Sequence, residues 1–273
     1  MQKTILITGA TDGIGLETAK LLLSMGHRVL LHGRNPAKLS NVEDELSGLS
    51  DKARVESYVA DLSRMADVEA LANAVAEKHR KLDVLINNAG VFSASEPVTS
   101  DGLDIRFVVN TIAPYLLTQR LLPLMDKSGR VINLSSAAQA PVNLKALAGG
   151  AKLSDNAAYA QSKLAITMWS RHLASQLKDK GPVVVAVNPG SLLGTKMVKE
   201  AYGTAGGDVQ IGAKILCRAA LDEEFAAASG QYFDNDSGQF AEPHPDALDQ
   251  KKSREVVDAI EKVLSAAGDQ VAT

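Results

Sequence analysis

Residues 4–26, TILITGATDGIGLETAKLLLSMG, decide the fold. Ile5-Leu6-Ile7 is a short continuous apolar run and reads as a buried strand. Thr8 to Gly15 is a glycine turn, and the amphipathic segment behind it ends at Met25-Gly26. Strand, turn and helix follow one another directly. Gly9, Gly13 and Gly15 leave no side chain between the backbone and a ligand. A pyrophosphate could rest there on the free N–H groups and the positive dipole end of the helix. Three glycines could equally make a tight turn against a sheet, so the decision falls to what stands downstream.

The same alternation runs on from that unit. Val29-Leu30-Leu31 is a second strand, and Asn35-Pro36 opens a helix with Asn as cap and Pro in the first position. Val55–Val59 is a third strand, after which Ser63 is expected to cap a helix carrying Val68, Leu71, Ala72 and Val75 on one face. Val84-Leu85-Ile86 is a fourth strand, followed by one long helix from about Gly102 to Met125. Val131–Leu134 and Val183–Val187 are the fifth and sixth strands, separated by a helix over Ala157–Lys180. Beyond Pro189 the pattern loosens over residues 190–207, as in a segment that covers a substrate. A helix over Ile211–Leu221, a last strand at Gln231-Tyr232-Phe233 and a terminal helix over 253–267 complete the chain.

Strands separated by single helices need parallel crossovers. The fold class is therefore α/β: a doubly wound, mostly parallel sheet of about seven strands with helices on both faces. No linker, repeat or compositional break divides the 273 residues, so a single domain is expected.

Composition narrows the function. The net charge of −3 argues against a nucleic-acid or acidic-membrane partner. Cys217 is the only cysteine, which excludes an internal disulfide and fits a reducing, cytoplasmic setting. Five scattered histidines (27, 32, 79, 172 and 244) lack ligand spacing, so no metal is expected. The N-terminus reads straight into a strand without a signal peptide, and no apolar run approaches the roughly 20 residues that span a bilayer.

Several side chains gather at strand ends, where an open α/β sheet binds its ligands. Arg34 follows the second strand, 19 residues after Gly15. A dinucleotide fold normally carries an acidic residue there against the ribose 2′-hydroxyl; an arginine fits a 2′-phosphate instead. NADP(H) is thus favoured over NAD(H), which applies if Arg34 is merely solvated. Asp61 could accept from an adenine amino group or begin the turn before Ser63. Asn87-Asn88-Ala89-Gly90 could hold the sheet edge and admit a cofactor closely, or be a plain turn. Tyr159 and Lys163 lie four apart on a helix and share a face. A nearby ammonium lowers a phenol's pKa from about 10, as an acid/base near neutrality requires. Ser135 and Ser136 end the fifth strand, where a hydroxyl could bond a carbonyl oxygen as charge develops on it. Asn110 is a poor helix former inside a helical run, which suggests a local task such as holding a water or bending the helix.

Taken together, these residues resemble the short-chain dehydrogenase/reductase family in its one-domain branch. TGATDGIG is similar to the family's TGxxxGxG turn, NNAG to its motif after the fourth strand, YAQSK to its YxxxK, and Asn188-Pro189-Gly190 to the loop facing the nicotinamide. The resemblance implies a Rossmann fold and hydride transfer between a nicotinamide and a carbonyl/alcohol pair, small or lipophilic. It makes Tyr159 the acid/base. Lys163 would lower its pKa and bind the nicotinamide ribose, and Asn110 would hold a water in the proton relay. The family's INxSS pattern puts the catalytic hydroxyl on Ser136 rather than Ser135. Gly9, Thr11, Asp12, Gly13, Ile14, Gly15, Arg34, Asp61, Leu62, Asn88, Ala89, Gly90, Pro189 and Gly190 would line the cofactor with Tyr159 and Lys163. A homodimer or homotetramer is the family's habit, with no interface fixed by this sequence. There are two departures. The 22 residues between Ser136 and Tyr159 exceed the usual spacing and resemble the retinol-dehydrogenase-like branch, with Pro141–Gly150 expected to shape the substrate pocket. Gly194 stands where a threonine is frequent and Thr195 follows it, which leaves a carboxamide contact by Thr195 open.

Overall fold

The computed structural model describes residues 1–49 and 54–271. β1 (Thr4–Ile7) runs through the glycine turn into α1 (Gly13–Ser24), whose N-cap Asp12 accepts the Gly13 N–H. There follow β2 (Arg28–Gly33), α2 (Pro36–Ser47), β3 (Arg54–Val59), α3 (Met65–Lys78) and β4 (Val84–Asn87). α2 begins as its sequence dictates, with Asn35 Oδ1 accepting from Lys38 N at 2.9 Å and Pro36 in the first turn. α3 begins one residue later than expected. Asp61 Oδ1 takes both the N–H and the hydroxyl of Ser63, at 2.9 and 2.8 Å, which keeps Ser63 in the turn and makes Arg64 the cap residue.

The stretch expected as one helix from Gly102 is interrupted. It comprises α4 (Ile105–Phe107), a π turn (Val108–Ile112), α5 (Ala113–Leu121) and a 3-10 turn (Leu122–Leu124). Pro114 accounts for the break. It has no N–H to offer the carbonyl of Asn110 four residues earlier, and its ring crowds that carbonyl out of α-helical register. The asparagine singled out as misplaced in a helix is therefore the centre of the bulge.

The remainder is β5 (Arg130–Leu134), α6 (Leu144–Leu147), α7 (Asp155–Leu177), β6 (Val183–Asn188), α8 (Lys196–Tyr202), α9 (Val209–Leu221), β7 (Tyr232–Asp234), β8 (Gln239–Ala241), α10 (Pro245–Leu248) and α11 (Gln250–Val271). α7 starts at Asp155 rather than Ala157 because Ser154 Oγ caps it. Buried Arg106, bonded to Asp104, also pairs with Asp155 and ties α4 to the start of α7. The 190–207 segment is not irregular throughout, since it contains α8. The terminal helix is longer than its expected 253–267.

The sheet has eight strands in the order β3-β2-β1-β4-β5-β6-β7-β8. All neighbours are parallel except β7 and β8, which the sequence reading did not separate. A short Asp-Ser-Gly turn with Gly238 at φ +71° returns the chain into β8. Residues alternate between the two faces. Ile5 and Ile7 pack with α1, α2 and α9, while Leu6 packs on the side of α3, α5, α7 and α11. Strand order reverses between β1 and β4, which opens a crevice at their carboxyl ends. No helix among the described residues is long and apolar enough to cross a membrane.

Candidate active site

The crevice is built first of backbone. Thr8 Oγ1 accepts the N–H groups of Asn88 and Ala89 at 3.1 Å, and Asn88 Nδ2 donates to the carbonyls of Thr8 and Gly9 at 2.9 and 3.0 Å. Asn88 thus clamps the end of β4 onto the glycine turn. Such closeness excludes side chains: a Cβ on Gly15 would stand 2.3 Å from Gly9 O and 2.5 Å from Asn88 Nδ2. Gly9 and Gly13 have φ of +65° and +50°. In the first turn of α1 Asp12 takes the Gly13 N–H, while those of Ile14 and Gly15 precede the first helical acceptor. That cradle of amides, glycines and helix dipole fits a dinucleotide pyrophosphate.

His32 supports it from below and was not singled out from the sequence. Its buried ring accepts the Gly9 N–H at Nδ1 (3.2 Å) and donates from Nε2 to Ala60 O (3.0 Å). Burial pushes its pKa down to about 4, so the ring is neutral near pH 7, as this bonding requires. Arg34 is exposed at the end of β2. Nearby, Lys38 holds the Asp12 carboxyl below the usual range through a 2.7 Å ion pair. Thr11 packs on Gly33, where a Cβ would meet its methyl at 2.6 Å. Asp61 Oδ1 is occupied by the turn, and the Leu62 side chain is buried in the core.

A second cluster lies over β5, three strands from β2 or about 14 Å. Lys163, 4 % exposed, donates from Nζ to Leu134 O at 2.8 Å and lies 5.6 Å from the Tyr159 ring centroid. It has no carboxylate partner among the described residues, and burial alone lowers its pKa to about 8. Tyr159 is half-buried, with the Phe92 ring 5.1 Å away and tilted by 53°. The two serines separate cleanly. Ser135 is buried, bonded to Thr167 Oγ1 at 2.6 Å and to Lys163 O at 3.3 Å; Ser136 is half-buried and faces the open edge, its Oγ accepting from Ala138 N. Asn110 uses its whole amide, accepting from Val91 N (2.7 Å) and donating to Val91 O (2.9 Å) and Ser162 Oγ (3.0 Å). Its side chain is a clamp between the Val91 backbone and Ser162.

The glycine turn, NNAG, Asn110, Ser136, Tyr159 and Lys163 all lie along one sheet edge, and residues 3–206 match the short chain dehydrogenase signature. The chain belongs to the short-chain dehydrogenase family. It is 35% identical to human polyprenol dehydrogenase over 210 residues, 73% of this chain and 63% of that protein. With human retinol dehydrogenase 13 it shares 30% over 271 residues, 92% of this chain and 81% of the relative. The Pseudomonas aeruginosa RhlG/NADP complex superposes with a TM-score of 0.69 at 28% identity, covering 86% of this chain and 95% of the other. A Brucella melitensis 3-ketoacyl-(acyl-carrier-protein) reductase with NADH gives 0.67 at 26%, covering 85% and 96%. This short-chain dehydrogenase is accordingly an oxidoreductase of the CH–OH class with a nicotinamide dinucleotide cofactor, and its likeness to retinol dehydrogenases places it near that branch.

Within this family framework, the structure adds parts the motifs did not name. Asn188 Nδ2 is bonded to Asp234 and Asp236 at 2.8 and 2.9 Å, and Asn235 Nδ2 donates to Pro189 O, so the turn after β7 braces Asn188-Pro189-Gly190. The only advance signal was the polar run Asp234-Asn235-Asp236 at a strand end. Thr195 caps α8 through Val198 N, and its methyl would meet a Cβ on Gly13 at 3.3 Å. Met197 likewise reaches over Gly90, 3.6 Å from where a Cβ would stand. The 190–207 segment therefore lies over the crevice at Gly13 and Gly90.

Proposed function

We propose that this short-chain dehydrogenase interconverts a lipophilic carbonyl and its alcohol with NADP(H), Tyr159 being the acid/base. The observation that carries the reading is the Tyr159–Lys163 arrangement. A buried ammonium with no counter-charge among the described residues stands beside a half-buried phenol, at the rim of a crevice that fits a dinucleotide. When bound, the nicotinamide supplies or accepts the hydride. In reduction Tyr159 Oη gives its proton to the substrate oxygen, and in oxidation it takes one. Lys163 stabilises the phenolate and offers its remaining N–H groups to ribose hydroxyls. Ser136 donates to the substrate oxygen as charge grows there, and a water on the Asn110 carbonyl carries protons onward.

Phe92 against Tyr159 and Met197 over Gly90 give the mouth apolar walls, and relatives named for retinol and polyprenol favour a lipophilic primary alcohol or its aldehyde. We read the chain as one domain in a reducing, cytoplasmic compartment, its single cysteine buried.

The cofactor choice rests on Arg34, exposed where a 2′-phosphate would lie. Arg34→Ala removes a charge-assisted contact of about 1.5–3 kcal/mol, so kcat/KM for NADPH is expected to fall about 10- to 100-fold with NADH little changed. Steady-state kinetics with both cofactors checks this. An undiminished NADPH preference in the variant would remove Arg34 as its cause, and a wild type that prefers NADH would move the assignment to NAD(H).

A further inference from the structure

A cavity of about 740 Å³ lies between the second half of α7, the turn before β7 and the first turn of α11. Arg171 of α7 is twelve residues beyond Tyr159, about 18 Å along the helix, so this cavity is remote from the crevice. Its volume is that of a small-molecule site. Arg171, Lys251 and Arg254 line it, and no carboxylate does.

Among the described residues the two arginines have no carboxylate partner, and Lys251 has only a distant one. Arg171 spends Nε on Ala247 O (2.9 Å) and Nη1 on Gly230 O, both uncharged, and burial lowers its pKa. The Lys251 partner is Glu255, at 3.9 Å. Asp249, next in sequence, is engaged by the N–H groups of Lys251 and Lys252. Ser253 also lines the cavity. It is 3 % exposed, and its hydroxyl oxygen, shielded behind the cavity wall, has no hydrogen-bond partner among the described residues.

We propose that this cavity is a second ligand site, which takes a phosphate ester. Arg171 and Arg254 pair with the phosphate oxygens, and Lys251 adds a mobile positive charge. The phosphate can belong to a soluble metabolite or to a lipid headgroup, and the two are separable by experiment.

The test is calorimetric titration of the full chain with inorganic phosphate and with glycerol 3-phosphate, repeated on Lys251→Glu/Arg254→Glu. Both positions are exposed, so the variant is expected to melt like the wild type. Saturable binding, tighter for the ester and weakened at least about tenfold in the variant, is the expected result. Co-sedimentation with phosphatidic acid vesicles but not with phosphatidylcholine, lost in the variant, identifies the lipid source; its absence identifies the soluble one. No saturable binding at low salt, or binding equal in the variant and the wild type, overturns the proposal.

Discussion

Lys163→Met is expected to make the cofactor-free protein more stable near pH 7 while abolishing turnover. Lys163 is 4 % exposed, and burial brings its pKa from 10.5 to about 8 without help from a carboxylate. That depression corresponds to about 3 kcal/mol of unfavourable charge burial. Methionine fills similar space with no charge. It leaves Leu134 O without its donor, at a penalty of about 1–2 kcal/mol, so the net gain is about 1–2 kcal/mol, or roughly 5 °C in Tm. The pH dependence has a definite sign. Between about 8 and 10.5 the unfolded chain holds a proton that the native lysine has lost, so wild-type stability climbs with pH through that window. The variant lacks this climb, and its advantage should shrink from pH 8 toward 10.5. Thermal melts of both proteins across that range check it. A variant less stable than wild type at pH 7 would mean that Lys163 is compensated by something other than a cofactor.

Gly15→Ala is expected to destabilise the fold and to weaken dinucleotide binding together, although alanine is the better helix former. A Cβ there meets Gly9 O at 2.3 Å and Asn88 Nδ2 at 2.5 Å, and Gly9 O is backbone. Either the turn moves away or the Asn88 clamp breaks. Overpacking of this kind costs about 1–3 kcal/mol, against the roughly 1 kcal/mol that alanine gains in helix propensity. The turn that receives the pyrophosphate is the part displaced, so the Kd for NADPH is expected to rise at least about tenfold. Urea melts and a fluorescence titration with NADPH measure the two effects. Unchanged affinity would show that Gly15 serves only the packing of α1 against the sheet.

The fold was legible where chemistry repeats. Runs of three to five residues, apolar for the most part, marked β1 through β6, and Asn35-Pro36 marked the start of α2 to the residue, because a cap is a local interaction. The failures were non-local or competitive. Ser63 has the right chemistry for a cap, yet Asp61, two residues earlier, holds its hydroxyl. Pro114 broke a pattern whose apolar periodicity continues across it; the proline stood in plain view, but the periodicity and Asn110 were weighed instead. β8 is three residues long and is fixed by pairing with β7, which no local propensity reveals.

For the site, spacing disclosed which residues share an edge but not how each is used. Asn88 was read as holding the sheet edge or admitting a cofactor and Asn110 as holding a water or bending the helix, and their amides tie backbone segments together at Thr8–Gly9 and at Val91. His32 was silent because its partner Gly9 lies 23 residues away, and Asp236 showed only as part of a polar run, 48 residues from its partner Asn188.

Tyr159→Phe tests the central claim most directly. The change deletes one hydroxyl and keeps the ring that packs on Phe92, so cofactor binding and the melting temperature should hold. With NADPH and a panel of lipophilic aldehydes, the account predicts that kcat falls about 10²- to 10⁴-fold, the usual contribution of a positioned acid/base. NADPH oxidation that continues at the wild-type rate in Tyr159→Phe would contradict it.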